Sequence, residues 1–385
     1  MTKTTYQNEQ LKKKFFTYLR GGKGFEESSV RSSAEAIWQW QLFAEGDDFT
    51  NYDQEKAQAF RQWLATRPAK TRAGHLSLAT QSNYLRRVKG FFLWLSDQPG
   101  FRSKVLKGDI EFLRLSNKEA LIVRSGTTRP MPTLEEAQKI IESIVIKDEI
   151  DLRDRALLSF ALATGCRISA IISLKVKSFD KVKQTVYQNP ADGVHTKNTK
   201  PILGTFFSIG WGAPEQYFME WFERLEARGA GQDDPIFPAT RGEIGRVKSA
   251  DGGVLVGNLF WKNAAGARKV FQKRCKEAGS QYFNPHSFRH FVISVMSRKP
   301  LTEEQKKAVS RTLGHANVGT TFRGAYGNAN MSDETAVNIV KRIKEFEAIK
   351  GAGGSAFTSE EMALLEGLMT KMQAVGIHIP TVSPD

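Results

Sequence analysis

Cysteine is scarce in this sequence of 385 residues: only Cys166 and Cys275 occur, far apart along the chain. Two cysteines so placed offer neither the spacing of a zinc site nor a disulfide framework, which is typical of a protein in a reducing compartment. The sequence also lacks an apolar run long enough to span a membrane, and its first residues lack the apolar stretch of a signal peptide. We therefore expect a soluble cytoplasmic protein with no membrane partner.

Acidic residues are in the minority: 41 Asp and Glu stand against 56 Lys and Arg, and the formal net charge is +15. An excess of this size concerns the partners of a protein rather than its fold, and it favours a polyanion such as nucleic acid. Solubility is the alternative explanation, but charge of either sign would provide it. The sequence has no Walker or Rossmann glycine pattern and no acidic cluster suited to a cation, so we expect neither cofactor nor metal.

Apolar residues recur at helical spacing in the first third of the chain. The spacing predicts three helices, at 28–45, 52–67 and 78–97. Aromatic residues on these helices are expected in the core. The opposite side of the third helix offers Arg86, Arg87 and Lys89, which suit contact with DNA phosphates. The length of the chain fits two domains with extensions, and we assign residues 1–123 to a helical DNA-binding domain.

A stretch rich in polar and turn residues follows, at 116–132. Within it we interpret 124–132 as a linker between domains. Its Arg124 and Arg129 are candidates for DNA contact, although exposed linkers are commonly charged. A Thr-x-x-Glu capping box at Thr133 begins the next helix.

Residues 133–350 mix helical and strand patterns and form the second predicted domain. The predicted elements are helices at 133–146, 152–163, 214–228, 258–278, 286–298 and 332–349, and a short β region around 182–209. Residues 351–385 hold a glycine-rich hinge and an amphipathic helix at 358–375. Two interpretations of that helix stay open: it folds back on its own domain, or it docks on a neighbouring subunit.

Four segments of the second domain contain residues suited to chemistry on a phosphate. In chain order they are TGCRIS with Arg167, HTKNTKP with Lys197 or Lys200, HSFRH with His286 and Arg289, and LGH with His315, followed by two threonines and Tyr326. Each segment alone has an ordinary structural explanation, such as an arginine that caps helix carbonyls or a lysine in a hairpin. All four in this order, in a basic chain without a metal signature, form a specific signal.

With TGCRISAIISLKVKSFD, HSFRH, LGH and TTFRGAY, the chain closely resembles the tyrosine recombinase, or phage integrase, family, which includes lambda integrase, the Xer recombinases and Cre. The resemblance covers the whole second domain, and the helical first domain is similar to the core-binding domain of that family. It implies a mainly α fold with a small antiparallel β-sheet in the catalytic domain. It also implies that the two domains close around DNA as a C-shaped clamp.

The resemblance assigns a role to each residue of the four segments. Arg167 matches the first arginine, Lys197 the β-hairpin lysine, His286 and Arg289 the His-x-x-Arg pair, His315 the following histidine, and Tyr326 the nucleophile. It implies a site-specific recombinase that cleaves DNA by attack of Tyr326, forming a 3′-phosphotyrosine and a free 5′-hydroxyl. The covalent bond keeps the energy of the phosphodiester, so neither ATP nor metal is needed.

These residue types fit the chemistry that they are assigned. Two arginines can hold the nonbridging oxygens of the phosphate with paired hydrogen bonds and a permanent charge. A phenol has a pKa of about 10, so it needs a proton acceptor at neutral pH, and His286 is the natural one. His315 would hydrogen-bond the phosphate, and Lys197 would protonate the leaving 5′-oxygen.

The sequence departs from the family pattern at three points. The family usually has an acidic residue three positions after the first arginine, where this chain has Ala170, which leaves open how Arg167 is oriented. The spacing from His315 to Tyr326 is two residues longer than the commonest form. The choice of Lys197 over Lys200 is an alignment judgement in a region with little fixed spacing.

The expected partners are a double-stranded DNA recombination site and further copies of the chain, as a dimer on one site and a tetramer in the synapse, with accessory DNA-bending proteins as additional candidates. Alternatives within the same chemistry are a type IB topoisomerase-like enzyme and a telomere resolvase. Outside it, the alternatives are a catalytically inactive DNA-binding relative and a metal-dependent nuclease.

Overall fold

The computed structural model describes residues 3–69, 73–125, 130–240, 245–248, 254–299 and 301–322. The chain forms two compact units, Met1–Pro130 and Met131–Asp385. Tyr326, the predicted helix at 332–349, the hinge and the predicted helix at 358–375 lie outside the described residues. The predicted fold class is confirmed: the chain is mainly helical, with a small antiparallel sheet.

The described part of the first unit is helical. Its helices are α1 (Lys3–Thr17), followed by a π-helical turn at Tyr18–Gly22, α2 (Glu27–Phe43), α3 (Gln54–Thr66), α4 (Leu78–Ser96), α5 (Lys107–Ile110) and α6 (Asn117–Ser125). The helices α2, α3 and α4 confirm the three predicted ones. Asp53 begins α3 and Ser77 begins α4, because each side chain accepts a hydrogen bond from a free backbone N–H of the first turn.

Aromatic rings fill the core of this first unit, as the helical spacing predicted, although Trp38 of α2 is 47% exposed. The ring of Trp40 lies 4.8 Å from that of Phe92 and 5.0 Å from that of Phe60, with edges turned toward faces. Phe49 and Phe91 are 4.7 Å apart in the same arrangement. All five side chains are buried, so they tie α2, α3 and α4 into one body.

The second unit is built around one buried helix. Its helices are α7 (Leu134–Glu142), α8 (Glu149–Thr164), α9 (Ile168–Ile171), α10 (Ala213–Ala227), α11 (Ala264–Glu277), α12 (Pro285–Ser297), α13 (Glu303–Thr312) and α14 (Val318–Phe322). Most residues of α8 are buried, and it packs against α10 and α12. Asp148 caps its first turn, and Gly165 ends it with a left-handed φ of 60°.

Three short strands, β1 (Phe179–Asp180), β2 (Thr185–Gln188) and β3 (Ile202–Thr205), form an antiparallel sheet in chain order. Gln188 pairs with Ile202 at the end of β2 where the chain leaves for a 13-residue connection and returns as β3. The strands β2 and β3 lie in the predicted β region at 182–209. A second hairpin, β4 (Arg246–Lys248) with β5 (Val254–Val256), was not predicted.

A buried ionic cluster joins α8 to α11. Arg274 donates to Asp154 and to Asp151, in each case at 2.6 Å, and Arg153 donates to Asp154 at 2.5 Å. The side chains of Arg153, Asp154 and Arg274 are at most 4% exposed. Each positive charge therefore meets a carboxylate inside the protein, as a buried ion needs.

Among the residues that the structure describes, no helix is long and apolar enough to cross a membrane. Within the same residues, no group of three or more His, Cys, Asp or Glu side chains is arranged to hold a metal ion.

Candidate active site

Arg289 joins three separate segments of the second unit. It lies on α12, which begins at Asn284, whose side chain accepts from the backbone N–H of His286. The guanidinium is 1% exposed; its Nη1 donates to the carbonyl of Gly165 and its Nη2 to the carbonyl of Leu313, both at 2.6 Å. The arginine thus brings the segment TGCRIS and the segment LGH to the helix that carries HSFRH.

His315 lies two residues after Leu313 and contacts the guanidinium of Arg289 as well. Its Nε2 lies 2.8 Å from Nη2 of Arg289, and its Nδ1 lies 2.7 Å from Oγ1 of Thr321. Arginine has no acceptor, so Nε2 must accept and the imidazole proton must be on Nδ1, from which it is donated to Thr321. Ser310 also donates to Thr321, at 2.8 Å, and both hydroxyl residues are buried.

Burial, followed by the charges of Arg289, Arg167, Lys197 and His286 in that order, lowers the pKa of His315 to about 3. The imidazole is therefore neutral at pH 7. With the proton on Nδ1, Nε2 is an acceptor. The predicted hydrogen bond from His315 to the phosphate requires the proton on Nε2 instead.

Arg167 is half-buried at the start of α9, three residues after the end of α8. Its Nη1 lies 3.5 Å from the point where a Cβ on Gly314 would be. Gly314 has a left-handed φ of 69°, and a Cβ there would collide with Ile202 of β3, so only glycine lets these elements approach. Ala170, at the position where the family usually has an acid, is buried in the core.

Lys197 lies in the connection between β2 and β3, in a short 3₁₀ turn at Lys197–Thr199, and its side chain is exposed. Its positive charge is one of those that lower the pKa of His315. Lys200 is also exposed, at the end of the same turn. Both lysines therefore lie on a surface loop rather than in the core.

His286 is half-buried in the first turn of α12. Its ring lies edge to face against that of His290 one turn later, with centroids 4.7 Å apart. The helix thus presents His286 and Arg289 one turn apart, as the His-x-x-Arg spacing predicted. Tyr326, the predicted nucleophile, lies outside the described residues.

Sequence reasoning missed the partners that orient these groups. The two threonines after LGH belong to the motif, but no sequence pattern assigned a role to Thr321, Ser310 or Gly314. A signal existed for Gly314, since a glycine between Leu and His in a loop often marks a close approach. The buried hydroxyls carry no such signal, because their partners become visible only in the folded chain.

The five predicted DNA-contact residues of the first unit and linker differ in their availability. Arg86 is exposed and donates to Asn83. Arg87 is half-buried and donates to the carbonyl of Ser29 at 2.9 Å and to Ser33 at 3.0 Å, and burial lowers its pKa. Lys89 forms an ion pair with Glu111 at 2.7 Å. The side chains of Arg124 and Arg129 lie outside the described residues, although α6 extends through position 125, into the predicted linker.

Residues 132–333, just over half of the chain, match the model of the Phage integrase family. The chain is 23% identical to the tyrosine recombinase XerC of Lactobacillus delbrueckii subsp. bulgaricus over 320 residues, which cover 81% of this chain and 92% of the relative. It is 25% identical to tyrosine recombinase XerC of Escherichia coli O157:H7 over 287 residues, covering 72% and 78%.

Two solved structures share the fold. The XerH site-specific recombinase, in a post-cleavage complex with a palindromic difH substrate, aligns with a TM-score of 0.55 at 18% identity, covering 88% of this chain and 84% of that one. The Tn1549 transposon integrase in complex with circular intermediate DNA aligns with a TM-score of 0.55 at 14% identity, covering 86% and 98%. At such identities the alignments concern the fold alone.

Proposed function

The chain belongs to the phage integrase family of tyrosine recombinases, the enzymes of site-specific DNA recombination, and on that premise we propose that Tyr326 is its nucleophile. The phenol oxygen attacks a phosphorus atom of the DNA backbone, the bond from phosphorus to the 5′-oxygen breaks, and a 3′-phosphotyrosine forms. Religation runs the same steps backward with an incoming 5′-hydroxyl.

The phosphate is held by the two arginines. During attack, negative charge grows on the nonbridging oxygens, and a guanidinium stabilises it with a fixed charge and directed N–H groups. Arg289 is fixed before DNA arrives by its bonds to the carbonyls of Gly165 and Leu313. Arg167 lies beside Gly314, next to the same histidine. This preorganisation supports a role for both in binding the transition state.

Three further groups handle the protons. His286 accepts the proton of the Tyr326 phenol, and Lys197 gives a proton to the leaving 5′-oxygen. His315 donates from Nε2 to the phosphate in its other neutral tautomer. The N–H of Nη2 that now meets Nε2 then goes to the phosphate, while the bonds of Arg289 to Gly165 and Leu313 keep the guanidinium in place. The Thr321 hydroxyl supports this change, because a hydroxyl can donate to Nδ1 as well as accept from it.

Contacts with the rest of the DNA are proposed for the first unit and the linker. Arg86, Arg87, Lys89, Arg124 and Arg129 would contact backbone phosphates. Arg87 and Lys89 would first exchange their internal partners. We assign 1–123 to DNA binding, 124–132 to the linker and 133–350 to catalysis. We further propose a dimer on one site, a tetramer in the synapse, action on cytoplasmic DNA and docking of the helix at 358–375 on a neighbouring subunit.

The observation that carries the proposal is that Arg289 bonds Gly165, Leu313 and His315, which brings three of the four segments together. The charges of Arg167, Lys197 and His286 also contribute to the low pKa of His315. An inactive DNA-binding relative would have no need of this set. The test is to incubate the full-length protein with nicked and intact duplexes from the DNA that flanks its gene, and to identify the products.

Strands joined between two duplexes are the expected product. Relaxed circles alone would favour the topoisomerase alternative, and hairpin ends would favour the telomere resolvase. Binding to the duplexes without any covalent adduct would support the inactive relative and contradict the proposal.

A further inference from the structure

Ser173 is a buried hydroxyl that links two parts of the active site. It is 7% exposed and lies two residues after the end of α9, the helix that begins next to Arg167. Its Oγ donates to the carbonyls of Ser169 and Ala170, at 2.9 and 3.0 Å. The same Oγ accepts from the backbone N–H of His195, at 2.9 Å. The serine therefore fastens the β2–β3 connection to the arginine-bearing helix.

The point of attachment is two residues before Lys197. Val194 is buried in the core of the second unit, so the chain is fixed at 194 by apolar packing and at 195 by the hydroxyl of Ser173. Immediately after Lys197, Asn198 and Thr199 adopt left-handed φ values of 59° and 52°. Two adjacent non-glycine residues in that region are costly and persist only where the surroundings hold them.

We propose that Ser173 is a positioning residue for the leaving-group step: it holds the loop so that the ammonium of Lys197 reaches the 5′-oxygen. This inference rests on the proposed function, which assigns that proton transfer to Lys197. Lys197 lies on an exposed loop, so its position depends on how the loop is attached. An attachment that fails by about 1 Å can cost roughly 10²-fold in rate.

Replacement of the bridging 5′-oxygen by sulfur tests proton transfer to the leaving group separately from the other steps. When the bond from phosphorus to the 5′-oxygen breaks, the oxygen must take a proton, and Lys197 gives it. If sulfur replaces that bridging oxygen, the bond from phosphorus to sulfur breaks and the 5′-thiolate leaves without a proton, because a thiol is far more acidic than an alcohol. A defect that acts through Lys197 therefore disappears on the sulfur substrate, and a general structural defect does not.

The experiment measures single-turnover cleavage by the full-length protein on nicked duplexes of its own site, with either oxygen or sulfur at the bridging position. Ser173→Ala should cleave the oxygen substrate roughly tenfold more slowly than the unaltered protein, since one backbone hydrogen bond of the loop is lost. It should cleave the sulfur substrate at the unaltered rate. Ser173→Thr, which keeps the hydroxyl, should restore most of the rate on oxygen.

Two controls separate this effect from folding. Ser178→Ala removes another buried hydroxyl of the same segment, which accepts from the N–H of Lys175 and does not bond the loop. It should leave both rates unchanged. Lys197→Ala should be slow on oxygen and restored on sulfur, and the double variant Ser173→Ala with Lys197→Ala should be no slower on oxygen than Lys197→Ala alone.

Each contrary outcome has a distinct meaning. If Ser173→Ala cleaves oxygen at the unaltered rate, or stays slow on sulfur while Lys197→Ala is restored, the inference is overturned and the assignment of Lys197 stands. If Lys197→Ala stays slow on sulfur, Lys197 is not the acid, and both the assignment and the inference built on it are wrong.

Discussion

Two buried arginines of the second unit, Arg274 and Arg289, have opposite surroundings. Both are almost fully buried. Arg274 bonds three carboxylates, those of Asp151, Asp154 and Glu277, and the charges of Asp154 and Asp151 raise its pKa. The hydrogen bonds of Arg289 that define the site go to two backbone carbonyls and the ring of His315.

Because of this difference, we interpret Arg274 as a structural arginine and Arg289 as a functional one. A carboxylate cancels the charge of a guanidinium, so the Arg274 cluster joins α8 to α11 and offers nothing to an anion. Carbonyls and a neutral ring bond the Nη1 and Nη2 groups of Arg289 but do not cancel its charge, which contributes to the low pKa of His315. A positive charge left in place within a buried site is suited to a phosphate.

We expect the largest effect on cleavage from removal of the Arg289 side chain. Arg289→Ala should slow formation of the covalent protein–DNA adduct by roughly 10³-fold or more, as for other arginines that stabilise phosphoryl transfer. Arg289→Lys should be intermediate, because it keeps the charge but loses the planar fork. Single-turnover cleavage measures the effect, with DNA binding and melting temperature as controls. Adduct formation by Arg289→Ala at a near-normal rate would refute the role of this arginine.

The matched change in the other cluster should affect stability instead. Arg274→Met leaves the carboxylate of Asp154 buried without this partner, so the free energy of unfolding should fall by about 3–5 kcal/mol. Cleavage per folded molecule, measured well below the melting temperature, should stay normal. A large loss of cleavage with unchanged stability would show that the two arginines are not different in kind.

The histidine next to Arg289 predicts a pH dependence of stability. The pKa of His315 is about 3 in the folded chain and about 6.5 when unfolded, so between these values the unfolded chain binds more protons. The contribution of His315 is fully present above pH 6.5 and is lost as the pH falls toward 3. Urea unfolding at pH 7, 6 and 5 should therefore show a steeper decrease for the unaltered protein than for His315→Gln. Parallel curves would contradict this protonation state.

The smallest expected effect concerns metal ions. If Arg167, Arg289 and Lys197 supply the positive charge for the phosphate, as we propose, excess EDTA should change the cleavage rate less than about twofold. Loss of cleavage with retained DNA binding, restored by magnesium, would favour the nuclease alternative.

Arg274 and Arg289 also differ in how much of their surroundings could be predicted from the sequence. The spacing of HSFRH predicted that His286 and Arg289 share a helix face, since that follows from helical geometry alone. Arg274 lies in QKRCKEAG, which has the composition of a surface helix, and its partners on α8, Asp154 and Asp151, are 120 and 123 residues away. No local pattern distinguishes such an arginine from an exposed one.

The same limit applies to the elements that were missed. The helix α13 has few buried residues, so its apolar spacing is weak, and its capping box at Thr302 was the available signal. Of the basic residues of α4, Arg86 is exposed, but Arg87 bonds Ser29 and Ser33 of α2. The pairing of Lys89 with Glu111 joins residues 22 positions apart. Helix patterns are local, whereas ion pairs depend on the tertiary fold.

The most direct test of the account is the covalent bond itself. The full-length protein and Tyr326→Phe are incubated with the same nicked duplex, denatured and digested, and the DNA-linked peptide is sequenced by mass spectrometry. We expect a 3′-phosphotyrosine at position 326 in the unaltered protein. For Tyr326→Phe we expect normal DNA binding without an adduct, because the attacking oxygen alone is removed. An adduct that survives denaturation in Tyr326→Phe, or one mapped to another residue, would contradict it.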